Sequence, residues 1–207
     1  MRQPYSAAGL EPGDLDPDPL RQFAVWFAEA EAAGLAEPNA MVLATTSADG
    51  WPNARLVLLK GLDRDGFVFF TNLVSAKGCE LRDNPRAALV LPWHGMSRQV
   101  RVQGWVHPVD RAEVTAYFEV RPRGSQLSAW ASDQSRVLAS REEVERRYRE
   151  MDERFAGRPV TPPAHWGGLR VLPYAVEFWQ GRADRLHDRL RYRRAADGRW
   201  RVERLAP

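Results

Sequence analysis

The 207-residue chain holds a single cysteine, Cys79, and only four histidines, His94, His107, His165 and His187. One thiol excludes an internal disulfide and a cysteine-rich zinc site. The histidines are scattered without metal-ligand spacing, so no metal centre is expected. No apolar run approaches the roughly 20 residues of a spanning helix, and the first residues lack the apolar core of a signal peptide; a cytoplasmic protein without a membrane partner is expected. A nucleophile elbow and both common glycine-rich phosphate loops are also missing, which excludes the usual serine hydrolase and dinucleotide folds. Net charge is only +3, because arginine is nearly balanced by acids. That is too weak an excess for a nucleic-acid partner and suits a small phosphorylated molecule better.

Tryptophan is plentiful, with eight in the chain. More aromatic surface than a core needs points to stacking or to an interface between subunits. The densest group of chemically able residues lies near the end. Glu177-Phe-Trp-Gln-Gly181 is followed by Arg185-Leu-His-Asp-Arg189, placing an indole, guanidiniums and an imidazole within one strand-turn-strand. Such a set suits a flat, anionic, aromatic ligand.

Period and punctuation give the elements. Residues 1–16 read as a polar, proline- and glycine-marked arm without packing of its own, and 17–207 as one domain. Asp18-Pro19 starts a helix with Leu20, Phe23, Ala24, Phe27 and Ala30 on one face, ending at Gly34. Strands follow at Met41–Thr46, Ala54–Leu59 and Phe67–Thr71, with Asp49-Gly50 and Asp65-Gly66 as turns. Ser75 caps a short helix that stops before Asn84-Pro85. Ala87–Leu91 and Arg98–His107 return to strand, and in the second Val100, Val102 and Val106 alternate with polar residues. Capping boxes at Asp110/Glu113 and Ser140/Glu143 start two more helices, the second with Val144, Tyr148, Met151 and Phe155 as its apolar stripe. Arg121–Ser135 has room for a further short helix. Leu169–Leu172, Ala175–Gln180, Arg189–Arg193 and Trp200–Leu205 close the chain, the last two joined by Asp197-Gly198. Short turns without a repeating strand-helix-strand rhythm predict a mostly β fold, an antiparallel barrel with peripheral helices.

Without a glycine loop, an anion must be held by side chains. Arg55 and Lys60 bracket an apolar strand; their odd separation puts them on opposite faces of a regular strand, and the apolar run between them implies that both faces are covered. Lys77 falls in the first turn of the Ser75 helix, where free backbone donors favour phosphate. Arg121, Arg123 and Ser125 form a cationic and hydroxyl cluster after Tyr117.

The runs Arg55-Leu-Val-Leu-Leu-Lys60, Phe70-Thr-Asn72 with Ser75 and Lys77, Arg98-Gln-Val100, Tyr117-Phe118 with Arg121-Pro-Arg123 and Ser125, Gln134-Ser135, and the Trp179 to Arg189 block resemble the pyridoxine/pyridoxamine 5'-phosphate oxidases. Arg204-Leu-Ala-Pro207 matches too. The resemblance implies an FMN-binding split barrel that works as a homodimer with the flavin between subunits. It implies that Arg55 and Lys77 hold the FMN phosphate, and that Lys60, Phe70, Thr71, Gln99, Gln134, Ser135, Trp179 and Arg189 complete the cofactor site, partly from the opposite subunit. Lys60, Tyr117, Arg121 and Ser125 would grip the substrate phosphate, Arg185 and His187 would act as catalytic residues over the pyridine ring, and Tyr5, with Arg2, would fold over the substrate. Where the family usually has two basic residues after the serine, this chain has Ala76 before Lys77. The implied reaction passes hydride from C4' of pyridoxine or pyridoxamine 5'-phosphate to FMN N5. Molecular oxygen then gives hydrogen peroxide, with release of pyridoxal 5'-phosphate and, from the amine, ammonia. Two other readings compete: a split-barrel reductase or phenazine-pathway relative acting on another substrate, and a barrel that binds a polyanion without catalysis.

Overall fold

A computed structural model describes residues 9–207 of the chain. Its centre is one sheet of nine strands, every pairing antiparallel: β1 (Ala40–Thr46), β2 (Pro52–Leu58), β3 (Gly61–Asp63), β4 (Gly66–Asn72), β5 (Arg86–Trp93), β6 (Arg98–Pro108), β7 (Trp166–Gln180), β8 (Asp188–Arg194) and β9 (Trp200–Arg204). The order β2-β1-β5-β6-β7-β4-β3, with β8 and β9 added along the second half of β7, curls so that β2 and β4 line one cleft. This is the antiparallel split barrel with helices at its periphery.

The barrel interior is filled by alternate residues of the strands, among them Met41, Leu43, Leu89, Leu91, Val100, Val102, Phe178 and Leu190, all fully buried. Helix α1 (Pro19–Ala32) closes it, its first turn capped by Asp18, whose carboxylate accepts the Leu20 N–H at 2.9 Å. The buried stripe is Leu20, Phe23, Trp26 and Ala30; Ala24 faces solvent. The indole of Trp26, one position off the expected row, meets Phe178 edge-on at 5.0 Å. The larger side chain takes the core-facing place because it removes more apolar surface from water.

A second core lies outside the barrel, where α3 (Arg111–Glu119), α4 (Arg123–Ala131) and α5 (Arg141–Arg154) pack on the β4/β7 edge through Val114, Phe118, Leu127, Phe155 and Trp166. Neither expected capping box forms its side-chain cap. Asp110 and Ser140 make no such bond, and Glu143 accepts instead from Ala139 N–H at 3.1 Å. The stripe on α5 is half-buried, since that helix rests on the second core only from one side.

Two sequence expectations change in the strands. Leu169–Leu172 and Ala175–Gln180 are one 15-residue strand, β7, because Pro173 sits where the register with β6 shifts at Gln103/Gly104; a bulge tolerates a residue that cannot donate to the ladder. Residues 10–16 are not an unpacked arm. Leu10 is buried, its N–H bonds Asp188 at 3.1 Å, and the Tyr192 hydroxyl donates to the Asp16 carbonyl at 2.5 Å. An apolar residue next to a 3-10 turn at Pro12–Asp14 suffices to dock the segment. Arg2 and Tyr5 lie outside the described residues.

Candidate active site

The cleft between β2 and β4 has a volume of about 1040 Å³ and is roofed by helix α2 (Ala76–Asp83) and by α3 and α4. Ten of the sequence-derived residues line it: Arg55, Lys60, Phe70, Thr71 and Lys77, then Tyr117, Arg121, Ser125, Gln134 and Ser135. Arg55 and Lys60 share the cleft instead of facing opposite ways. Strand β2 ends at Leu58, so the two-residue alternation no longer governs Lys60, whose N–H bonds Val68 O at 2.8 Å. Between Arg55 and Lys60, Leu56, 69% exposed in the single chain, also lines the cleft.

Helix α2 builds the first cationic group. Its cap, the fully buried Ser75, accepts the Gly78 N–H and donates to the Asn72 carbonyl at 2.6 Å, which fixes where the first turn begins. That turn approaches Leu73 so closely that a Cβ on residue 78 would lie 2.3 Å from the Leu73 oxygen, hence glycine. Lys77 Nζ bonds Gln134 Oε1 at 2.8 Å and Ser75 Oγ at 3.3 Å, neither of them charged. Burial, then the Arg55 charge, lowers its pKa, and Glu80 raises it. Ser135, with φ of 74°, takes the Ala76 N–H on its hydroxyl at 3.1 Å. Arg55 differs from Lys77 in being paired: Nη2 lies 3.1 Å from Glu80 Oε2, and a guanidinium nitrogen also donates to the Thr45 hydroxyl. Glu80, almost buried, further accepts from Asn53 at 2.7 Å and from Thr45. Burial raises its pKa, but those three partners outweigh it and hold the carboxyl below its ordinary value.

The second cationic group rests on aromatic rings. Phe70, Tyr117 and Trp166 are nearly parallel, with Phe70 centred 4.1 Å from Tyr117 and 5.3 Å from Trp166. Gly168 leaves room for that stack: a Cβ there would sit 2.7 Å from Phe70 Cε1. The Arg121 guanidinium lies 4.8 Å from the Trp166 ring centre and 5.4 Å from Phe118. Its Nη1 is buried without a hydrogen-bond partner, and burial lowers its pKa.

Gln99, Trp179, Arg185, His187 and Arg189 are not in this cleft. They gather at the far end of β7. Gln99 pairs with Trp179 and Trp179 with Arg189, so the three form one row across β6, β7 and β8 on a common face. The Trp179 and His187 rings are 4.7 Å apart, and His187 Nδ1 accepts the Arg182 N–H at 3.0 Å. An accepting Nδ1 puts the imidazole proton on Nε2. Arg189 makes a two-point contact with buried Glu177, at 2.8 and 3.3 Å, and the partnership raises its pKa. Exposed Arg185 and its neighbour Asp184 are both left-handed, with φ of 62° and 54°. Backbone held there costs about 1–3 kcal/mol per residue.

Sequence reasoning missed Glu80, Thr45 and Asn53 around Arg55, and Trp166 beneath Arg121. Lone polar residues on two strands and a helix carry no local pattern. Trp166 had one signal, an indole opening a strand after a proline-rich turn.

The donors fit a phosphorylated ligand. An orphaned guanidinium nitrogen and a buried ammonium with only neutral partners are what an anion would complete. Among the described residues no group of acids, histidines and cysteine could hold a metal, and no helix is long and apolar enough to cross a membrane.

Comparison with known proteins gives the family. Residues 27–155 match the family model described as pyridoxamine 5'-phosphate oxidase, and 166–207 match the pyridoxine 5'-phosphate oxidase C-terminal dimerisation region. A pyridoxine/pyridoxamine 5'-phosphate oxidase of Cupriavidus metallidurans is 54% identical over 207 residues, covering all of this chain and 97% of that protein. One of Rubrobacter xylanophilus is 56% identical, covering all of this chain and 95% of that protein. Among solved structures, PhzG of Burkholderia lata 383, in complex with tetrahydrophenazine-1-carboxylic acid, superposes with a TM-score of 0.92 at 30% identity, covering 99% of this chain and 100% of that one. On these matches the chain belongs to the pyridoxamine 5'-phosphate oxidase family.

Proposed function

We propose that the protein is an FMN-dependent oxidase of pyridoxine 5'-phosphate and pyridoxamine 5'-phosphate, forming pyridoxal 5'-phosphate. The observation that carries this reading is the cleft with two cationic groups, one on α2 and one on the aromatic stack, which suits two phosphorylated ligands. Lys77, Arg55, Ser135 and Gln134 would hold the FMN phosphate; Phe70 and Thr71 line the cleft beside them. Lys60, Tyr117, Arg121 and Ser125 would bind the substrate phosphate. Bound FMN supplies a two-electron acceptor for the substrate's C4' carbon, and its return to the oxidised form by molecular oxygen gives hydrogen peroxide.

The cluster at the far end of β7 completes the site from a second copy of the chain, in a homodimer. Its matched model is named for dimerisation, and in one chain it lies away from the cleft. Trp179 and Gln99 would then wall the cofactor. Arg189, its orientation set by Glu177, would place positive charge where a reduced ring accumulates electrons. Arg185 and His187 would close over the pyridine ring, orienting it and excluding water, with His187 offering its Nε2 proton. Tyr5, with Arg2, would cover the substrate from the N-terminal side.

The relative with the phenazine ligand leaves open another substrate on the same fold. Lys60 and Arg121 in the cleft favour the phosphorylated vitamers, since a substrate without phosphate would leave both cations unanswered. The test is spectral. Purified protein should be yellow, lose its visible absorbance when pyridoxine 5'-phosphate is added without air, and regain it with stoichiometric peroxide when air is admitted. Colourless protein that takes up no FMN would refute the reading.

A further inference from the structure

Among the described residues, Arg121 Nη1 is the only buried side-chain nitrogen or oxygen without a hydrogen-bond partner. Buried guanidiniums are ordinarily oriented by a carboxylate, which neutralises them and occupies their fork. Arg55 in the same cleft is held that way, by Glu80. Arg121 is not: among the described residues no carboxylate pairs with it, and its guanidinium carbon lies 4.8 Å from the ring centre of Trp166 and 5.4 Å from that of Phe118. Trp166 is itself immobilised. It is 5% exposed, stacks at 9° on Phe70, meets Phe118 edge-on at 4.8 Å, and its carbonyl accepts from Arg111 at 2.8 Å. A π face attracts the cation without consuming its N–H donors, so the guanidinium stays oriented with a donor unspent.

We infer that Trp166 is a positioning residue for substrate recognition: its ring holds Arg121 by a cation–π contact in place of a carboxylate, leaving the guanidinium's charge and fork to the substrate's phosphate. The inference rests on the proposed role of Arg121. It assigns to the opening residue of β7 a share in selecting phosphorylated over unphosphorylated vitamers.

The test uses the flavin-loaded enzyme in air, with kcat and KM for pyridoxine 5'-phosphate measured for Trp166→Leu and Trp166→Phe, each also in an Arg121→Ala background. Trp166→Leu should raise KM about tenfold with kcat within about twofold, and Trp166→Phe should keep most of the affinity. In the Arg121→Ala background neither change should raise KM further. Equal losses in both backgrounds, or a fall in kcat at constant KM, would overturn the inference. If the leucine variant fails to fold, fluorinated tryptophan, which weakens the ring's negative face at nearly constant size, serves instead. It should raise KM in the wild type and not in Trp166→Phe; the same change in both would be equally fatal. A wild type active on the vitamer with an unaffected leucine variant sinks this inference alone, whereas a wild type inactive on any vitamer removes the proposed function and the inference together.

Discussion

Replacing Lys77 by methionine separates what the folded chain needs from what its cofactor needs. The side chain is buried and its Nζ meets only a glutamine oxygen and a serine hydroxyl. Burial and the Arg55 charge push its pKa down, so the folded protein binds this proton less tightly than the unfolded chain does. A depressed lysine therefore subtracts stability at neutral pH, and the penalty fades as pH rises between the folded and the unfolded pKa. Methionine fills similar volume without charge, so flavin-free Lys77→Met should be at least as stable as the wild type near pH 7, and its advantage should shrink at alkaline pH. With FMN the sign reverses. A charge-assisted hydrogen bond to phosphate contributes about 1.5–3 kcal/mol, so the variant's FMN Kd should rise roughly 10- to 100-fold. Titration of deflavinated protein, followed by quenching of flavin fluorescence, gives the Kd; urea melts give the stability. Riboflavin, which has no phosphate, should bind both proteins alike. A variant that is less stable without flavin by more than about 1 kcal/mol, and binds FMN as the wild type does, would refute the reasoning, because Lys77 would then be a structural residue.

Arg185→Gly removes a group proposed to sit over the substrate and relieves a left-handed backbone at the same position. Turnover should fall about 100-fold or more while the melting temperature holds or rises, with FMN affinity within about threefold; a drop in stability would show that the strained turn is held by the arginine itself. Tyr192 is fully buried with its hydroxyl on the Asp16 carbonyl, and burial followed by the charges of Asp16 and Asp18 raises its pKa. Because the folded value exceeds the unfolded one, its contribution is intact below about pH 10 and is lost as pH climbs further. Tyr192→Phe should therefore cost about 1 kcal/mol in urea melts at pH 7, and the difference should narrow above pH 10; a constant gap would disprove the titration argument.

Most of the barrel was legible because its signals are local. Asp49-Gly50, Asp65-Gly66 and Asp197-Gly198 mark turns, and Val100, Val102 and Val106 alternate as a half-buried strand must. Three-residue β3 was not legible, being too short to show a period, and Pro173 read as a break because a bulge is a property of two strands together. Around the site, proximity along the chain was enough for Ser75 and Lys77 but not for Arg55 and Lys60, where the end of β2 decides the geometry. Glu80 and Trp166 act through contacts across elements distant in sequence, and no pattern of residue types announces such contacts. The grouping of the cleft residues came from resemblance; the orphaned nitrogen of Arg121 came only from the fold.

Strand β7 opens with Trp166 under one group and carries Trp179 in the other, so thirteen steps of extended backbone, on the order of 40 Å along the strand, hold the halves apart. Such a ruler makes damage at either end tradable between chains. If each site draws one end from each of two copies, a subunit spoiled at Lys77 and a subunit spoiled at Arg185 form a mixed pair with one doubly broken pocket and one whole pocket. Two inactive proteins, co-expressed, would then restore each other's work.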